Sequence, residues 1–186
     1  MDNFLRRDME DALTAMEVLA KAFEKPPFDV YVLGGAGCVL AEYFDRATRD
    51  FDIIDLEYSA SLGLVMKPLE PFDMIDPQLA AIPPGYKARA VRLPTYKYLS
   101  VYVLAREDII ISKAARLNER DMADIRKLLP FADLPLMVTL TKKLIAGSLP
   151  EAAKTVLLDN LIICMEEAGV SDYVQQLAEL RKRFRQ

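Results

Sequence analysis

The chain has 186 residues, 52% hydrophobic and 28% charged, a balance that excludes a disordered polymer and suits one domain, or one domain with a helical extension. Lys and Arg number 24 against 28 Asp and Glu, so the net charge is −4, and no broad basic surface for sequence-independent nucleic-acid binding is implied. Histidine is absent, which removes His-based triads, His-ligated zinc and any imidazole base, and the two cysteines, Cys38 and Cys164, sit in apolar helical contexts as buried free thiols.

Residues 3–25 have the pattern of an amphipathic helix. Leu5, Met9, Leu13, Met16, Leu19 and Phe23 recur at three- and four-residue steps, with Arg6, Arg7, Asp8, Glu10 and Asp11 mostly on the other face. The mixed signs of that face favour packing on a sheet over a membrane role. Pro26 and Pro27 end the helix, and residues 30–33 are β-rich and uncharged up to Gly34-Gly35. Residues 36–44 carry apolar side chains at helical spacing, and residues 50–54 return to strand character. Alternate side chains of a strand share a face, so Asp50 and Asp52 point one way while Phe51 and Ile53 point into the core. Two adjacent carboxylates repel unless a cation lies between them, and Mg²⁺ is held by one or two carboxylates plus phosphate oxygens. Glycine lets a backbone approach a ligand closely, and the helix that follows presents unpaired N–H groups. Gly-Gly after a strand is commonly only a tight turn, and Asp-x-Asp is often a solvated edge. In this order, with one short helix between, the two read as a phosphate site beside a metal site.

These residues resemble the polymerase-β-like nucleotidyltransferase superfamily, whose pattern is a strand, Gly-Gly or Gly-Ser, a helix, and an Asp-x-Asp or Asp-x-Glu strand. Gly34, Gly35, Asp50 and Asp52 match it one by one. Arg46, Thr48 and Arg49 are similar to the R-x-T-x-D-x-D approach of the branch related to abortive-infection and toxin–antitoxin nucleotidyltransferases. The resemblance implies that Gly34, Gly35 and Arg49 hold phosphates, that Asp50 and Asp52 hold Mg²⁺ (or Mn²⁺), and that a nucleoside triphosphate is the substrate.

Asp55 falls off the two-residue beat of Asp50 and Asp52 and reads as a strand-end residue. Residues 59–69 allow a short helix, and Pro68, Pro71, Pro77, Pro83 and Pro84 punctuate an irregular connection that either turns the chain or lines a site. Residues 86–104 alternate as a β-hairpin around Pro94-Thr95-Tyr96, with an edge strand guarded by Lys87, Arg89 and Arg92. The superfamily usually places a third carboxylate on such a later strand, but residues 86–104 contain no Asp or Glu.

A helix opening with Glu107 and Asp108 follows, where capping and dipole complementarity account for the acids. The run from Glu107 to Asp124 resembles further motifs of abortive-infection-type nucleotidyltransferases, an E-D-opened helix with a lysine and then an R-D-x-x-D helix. Glu107, Asp108, Lys113, Arg120, Asp121 and Asp124 carry the match. The resemblance gives Lys113 a role on nucleotide phosphates or the attacking group, and has Asp121 or Asp124 complete the acidic site. Arg116, Arg120, Asp121 and Asp124 also have the spacing of helix-surface ion pairs, and both readings stand on spacing alone.

Residues 135–146, 150–168 and 171–184 read as three helices, the first two closed by Gly147 and Gly169 and the third capped by Ser171. The expected fold is α+β: a nucleotidyltransferase-like mixed sheet of four or five strands flanked by helices over residues 1–130, then a helical region over 131–186. The expected activity is transfer of a nucleoside monophosphate to a hydroxyl, with RNA, a protein side chain or a small molecule left open as acceptor. The resemblance extends this to a toxin–antitoxin or phage-defence setting with a cognate protein partner. A catalytically inactive nucleotide- or partner-binding module of the same fold is the alternative. No signal peptide or membrane-spanning run is evident, so a cytoplasmic protein without a membrane partner is expected.

Overall fold

A computed structural model of the chain describes residues 6–45, 48, 51–147 and 149–184. They pack into two compact units, one of Met1–Pro77 with Arg89–Leu104 and one of Gln78–Ala88 with Ala105–Gln186.

The first unit is built on a five-stranded mixed sheet. Helix α1 (Arg6–Ala22) precedes strand β1 (Phe28–Val32), and α2 (Gly34–Leu40) follows it at once. Strand β2 (Ile53–Ile54), the short helix α3 (Gly63–Met66) and β3 (Met74–Ile75) come next. After the helical turn α4 (Tyr86–Arg89), strands β4 (Val91–Arg92) and β5 (Leu99–Val103) complete the sheet, in the order β3-β2-β1-β5-β4. β1 and β5 run parallel at the centre, Phe28 opposite Leu99 through Val32 opposite Val103, and the facing Tyr31 and Tyr102 rings stack at 4.9 Å. β2 is antiparallel to β1 with Val32 opposite Ile53, while β3 is parallel to β2. The stripe of α1 buries Met9, Leu13, Met16 and Ala20 completely, against α2, α3 and β5. Phe23, read as part of that stripe, is exposed, because the helix has ended and Glu24 turns the chain with φ of 50°.

Three local expectations change. Gly34 and Gly35 are the first residues of α2 and not a separate turn before it, and α2 stops at Leu40, two residues before Glu42 takes a φ of 56°. The first strand of the expected hairpin shrinks to Val91 and Arg92, since residues 86–89 are helical after Gly85 (φ 77°), whose carbonyl accepts the Ala88 N–H. A strand the prolines hid, β3, fits between Pro71 and Pro77; at two residues and on the sheet edge, it leaves the prolines outside the ladder. The residues expected as a short helix over 59–69 form α3 flanked by 3-10 turns, with Ser59 accepting the Ser61 N–H.

The second unit is helical: α5 (Arg106–Ala114), α6 (Glu119–Leu128), α7 (Leu134–Ile145), α8 (Glu151–Glu167) and α9 (Ser171–Phe184). Helix α5 buries Ile109, Ile110, Ile111 and Ala114 and packs on α6, α7 and α8. Asp133 caps α7 by accepting the Leu136 N–H at 2.9 Å. Gly169, with φ of 70°, closes α8: its N–H and that of Val170 donate to the Glu166 and Met165 carbonyls. The three C-terminal helices lie within two residues of their expected bounds. The architecture is α+β, a mixed five-strand sheet flanked by helices with a helical C-terminal region, consistent with a nucleotidyltransferase-like fold.

Candidate functional site

In the first unit the site is made where β1 runs directly into α2. Antiparallel pairing continues one residue beyond β2, with the Leu33 N–H donating to the Asp52 carbonyl at 3.1 Å. This fixes Asp52 beside the start of α2. Its neighbours Phe51 and Ile53 are buried, as the alternation required, and the Phe51 ring meets Phe72 edge-on at 4.9 Å. Asp52 itself is half-buried, and its carboxylate lies over Gly34. A Cβ on residue 34 would stand 2.5 Å from Asp52 Oδ2, and the backbone there has φ of +67°. Glycine is therefore required twice over, by conformation and by space. A third glycine, which the sequence reading passed over, lets α2 lie on the sheet: a Cβ on Gly37 would be 3.1 Å from Val103 Cγ1 and 3.2 Å from the Val32 carbonyl. Its place in Gly34-Gly35-Ala36-Gly37 was the available signal. Thr48 is buried. Arg46, Arg49 and Asp50 lie outside the described residues.

In the second unit Lys113, Asp121 and Asp124 come together. The turn between α5 and α6 bends at Leu117 (φ 41°), and Asn118 and Asp121 form a capping box: Asn118 Oδ1 accepts the Asp121 N–H at 2.9 Å, and Asp121 Oδ2 accepts the Asn118 N–H at 3.4 Å. This sets Asp121 and Asp124, three residues apart on one face of α6, against the last turn of α5. Lys113 Nζ lies 3.0 Å from Asp121 Oδ1 and 2.8 Å from Asp124 Oδ2. All three side chains are buried. The half of the sequence reading that made Asp121 and Asp124 surface ion pairs is thus corrected: the pairs exist, but inside the unit. Arg116 reaches in from its exposed position, donating from Nε and Nη2 to the two Asp121 oxygens at 2.8 and 3.1 Å. Burial pushes the Asp121 carboxyl up, but the Arg116 guanidinium and the Lys113 ammonium outweigh it and hold it below the ordinary carboxylate value. Asp108 is fully buried in the first turn of α5, and Glu107 accepts the Asp133 N–H at 2.7 Å, so Glu107 serves the start of α7 as well as its own helix.

Chemically, the two places differ. At Gly34 a bare backbone lies directly beneath the Asp52 carboxylate, and a carboxylate is a ligand type that suits a hard cation. Among the described residues no group of three or more His, Cys, Asp or Glu side chains is arranged to hold a metal ion unaided. A Mg²⁺ shared between one or two carboxylates and substrate phosphates needs no such group. Also among the described residues, no helix is long and apolar enough to cross a membrane.

Residues 9–160 match the family model described as "Nucleotidyltransferase of unknown function (DUF6036)", a span that includes Gly34, Asp52 and the Lys113–Asp121–Asp124 cluster. No curated protein matches the chain at a significant level, and neither does any solved structure. With most of its length matched and the α+β architecture in place, the chain belongs to this family of nucleotidyltransferases of unknown function.

Proposed function

We propose that the protein binds a nucleoside triphosphate with Mg²⁺ (or Mn²⁺) and transfers a nucleoside monophosphate to a hydroxyl acceptor. The observation that carries this reading is the Asp52 carboxylate set over Gly34, in a space that any Cβ at residue 34 would fill. In the reaction the acceptor oxygen bonds to the α-phosphorus, the bond to the bridging oxygen breaks, pyrophosphate departs, and the hydroxyl proton is released to water. Such transfers depend on positioning and charge neutralisation. The cation, held by Asp52 and Asp50, supplies charge neutralisation at the phosphates when bound. Gly34 and Gly35 let the backbone approach the phosphates, and Arg49 supplies positive charge to them. In the second unit Asp121 and Asp124 hold the ammonium of Lys113, the residue to which the resemblance gives a role on the nucleotide. A toxin–antitoxin or phage-defence module in the cytoplasm, with a cognate protein partner, is the setting we attach to this activity.

The test is transfer of label from α-phosphate-labelled nucleoside triphosphates to RNA, protein and small hydroxyl acceptors, with Mg²⁺ present. Melting temperature is measured in parallel, because a ligand that binds the native state raises it. At least one triphosphate should stabilise the protein and pass its label on. Asp52→Asn should stop transfer, and Gly34→Ala should stop it with a native-state cost of about 1–2 kcal/mol from the left-handed backbone. Variants that transfer normally would remove Asp52 and Gly34 from the site.

A second reading has its own support. Residues 86–104 carry no acid, so neither β4 nor β5 supplies a third carboxylate, and Lys113 is already engaged by two buried aspartates. These favour a nucleotide- or partner-binding module without turnover. A triphosphate-dependent rise in melting temperature with no label transfer to any acceptor would select it.

A further inference from the structure

One row of side chains crosses the sheet from Ile54 through Tyr31 and Tyr102 to Arg92. Tyr31 lies opposite Tyr102 and Tyr102 opposite Arg92, and the pairing of Val32 with Ile53 puts Ile54 opposite Tyr31. Directly opposite residues share a face, and Asp52, two residues before Ile54, shares it with them. Helix α2 lies on the other face, where Gly37 meets Val103. Exposure rises along the row: Ile54 and Tyr31 are buried, Tyr102 is partly exposed and Arg92 is exposed. The Tyr31 and Tyr102 rings stack with 12° between their planes, and the Tyr31 hydroxyl reaches Asp29 Oδ2 at 3.5 Å. A cross-strand aromatic pair by itself only stabilises a sheet. Here the next place in the ladder, beyond Tyr102, belongs to Arg92 on the edge strand β4, whose guanidinium has no hydrogen bond or ion pair among the described residues.

Position and charge point to the occupant. Tyr31 and Tyr102 are each the last residue but one of their parallel strands, so they lie toward the carboxyl ends of β1 and β5, the ends at which open sheets bind ligands. Residues 89–104, which carry β4 and β5, contain Arg89, Arg92 and Lys97 and no Asp or Glu, so this segment sets no carboxylate against a phosphate. Tyr102 is two strands across and two residues along from Asp52, roughly 12 Å at a strand spacing of about 4.8 Å and a rise of about 3.3 Å per residue. A nucleotide with its phosphates at Gly34 and Asp52 reaches about that far with its base. Resting on the nucleotidyl-transfer reading above, we propose that Tyr102 is the platform on which the base of the nucleoside triphosphate stacks, with the Arg92 guanidinium closing over the base from its other side. A planar guanidinium stacks on aromatic faces, and at the sheet edge no further strand holds Arg92 in place. Every base has a π-face, so the platform accepts all four.

Calorimetry on the full chain with Mg²⁺ tests this by comparing the four ribonucleoside triphosphates with inorganic tripolyphosphate, which has the phosphates and no base. The native protein should bind each nucleotide about 10-fold or more tighter than tripolyphosphate. Tyr102→Leu should remove most of that difference and leave tripolyphosphate binding unchanged, which also reports that the variant is folded. Tyr102→Phe should keep the difference. Arg92→Gln, at an exposed edge position where the fold is not at stake, should reduce it several-fold, again sparing tripolyphosphate. A native protein that binds neither kind of ligand refutes the nucleotidyl-transfer reading and this site with it. Binding of both, with Tyr102→Leu and Arg92→Gln still preferring nucleotide as the native protein does, refutes this site alone. So would a loss in Arg92→Gln that falls equally on nucleotide and tripolyphosphate, because Arg92 would then serve the phosphates. A single-stranded oligonucleotide weakened by Tyr102→Leu while the triphosphates are not would likewise overturn the proposal and give the platform to an acceptor.

Discussion

Alanine suits a helix interior as well as any residue, yet Lys113→Ala in α5 would strip the cation from two carboxylates that are each 1% exposed. Taking the cation away from buried carboxylates is costly, so this variant should lose about 3–5 kcal/mol in urea unfolding, with Arg116 retaining part of the hold on Asp121. The pH dependence follows from Asp121. Its folded carboxyl sits below the ordinary value because Arg116 and Lys113 outweigh the burial that pushes it up. A depressed carboxyl contributes stability above the ordinary carboxylate pKa and loses it as pH falls through the folded value. Native protein should therefore lose stability on acidification more steeply than Asp121→Asn, and superposable acid profiles would mean that the network is solvated. This cluster shows what the sequence displayed and what it hid. The acids and the lysine were legible, and the spacing of Asp121 and Asp124 put them on one face. That they pair with Lys113 was not, because no periodicity relates residues across a turn whose bend rests on a left-handed Leu117. Gly34 and Asp52 were legible for the opposite reason: a strand, a short helix and a returning strand leave little freedom in where Asp52 falls.

Helix α1 does more than cover the sheet. From its less buried side Glu17 accepts the N–H groups of Lys97, Tyr98 and Leu99 at 2.7 to 2.9 Å, clamping the entry to the central strand β5. Three backbone donors share one carboxylate, and charge-assisted bonds of this kind are among the stronger ones. Glu17→Ala should cost about 2–3 kcal/mol and speed hydrogen exchange at those three amides while leaving the β5–β1 amides farther along slow. Uniform exchange throughout β5 would show that the clamp holds nothing in particular. Periodic sequence predicted α1 and the three C-terminal helices because a long helix repeats its signal over several turns. It also predicted the buried alternation of Leu99, Val101 and Val103. It could not give the strand order, since the parallel pairing of β1 with β5 joins segments remote in sequence. The two-residue strand β3 carries too short a pattern to show a period. The helical residues 86–89 looked like a strand because alternating basic and apolar residues suit either state once a glycine turn and two prolines set the start.

At the scale of the molecule the chain passes between its two units three times, after Pro77, Ala88 and Leu104. A division at residue 130 falls inside the second unit, between α6 and α7. Helices α5 and α6 lie before it, and α5 packs on α7 and α8, while α6 packs on α8. The side chains at stake are the fully or almost fully buried Ile109, Ile110, Ile111, Ile125 and Leu128. Removing residues 131–186 would expose them to water, at roughly 1.5–3 kcal/mol for each large side chain. That sum, about 7.5–15 kcal/mol, is as large as the margin by which domains are stable, about 5–15 kcal/mol. A fragment ending at Pro130 should therefore keep, at most, an ordered sheet unit, with α5 and α6 collapsed or aggregated. Lys113, Asp121 and Asp124 would lose their burial with them. Amide NMR decides it: whatever the resonances of β1 and β5 do, those of residues 106–128 should fall into the narrow range of unstructured chain. Dispersed, exchange-protected amides across α5 and α6 in that fragment would establish residues 1–130 as a domain that folds by itself, with the remaining helices an addition to it.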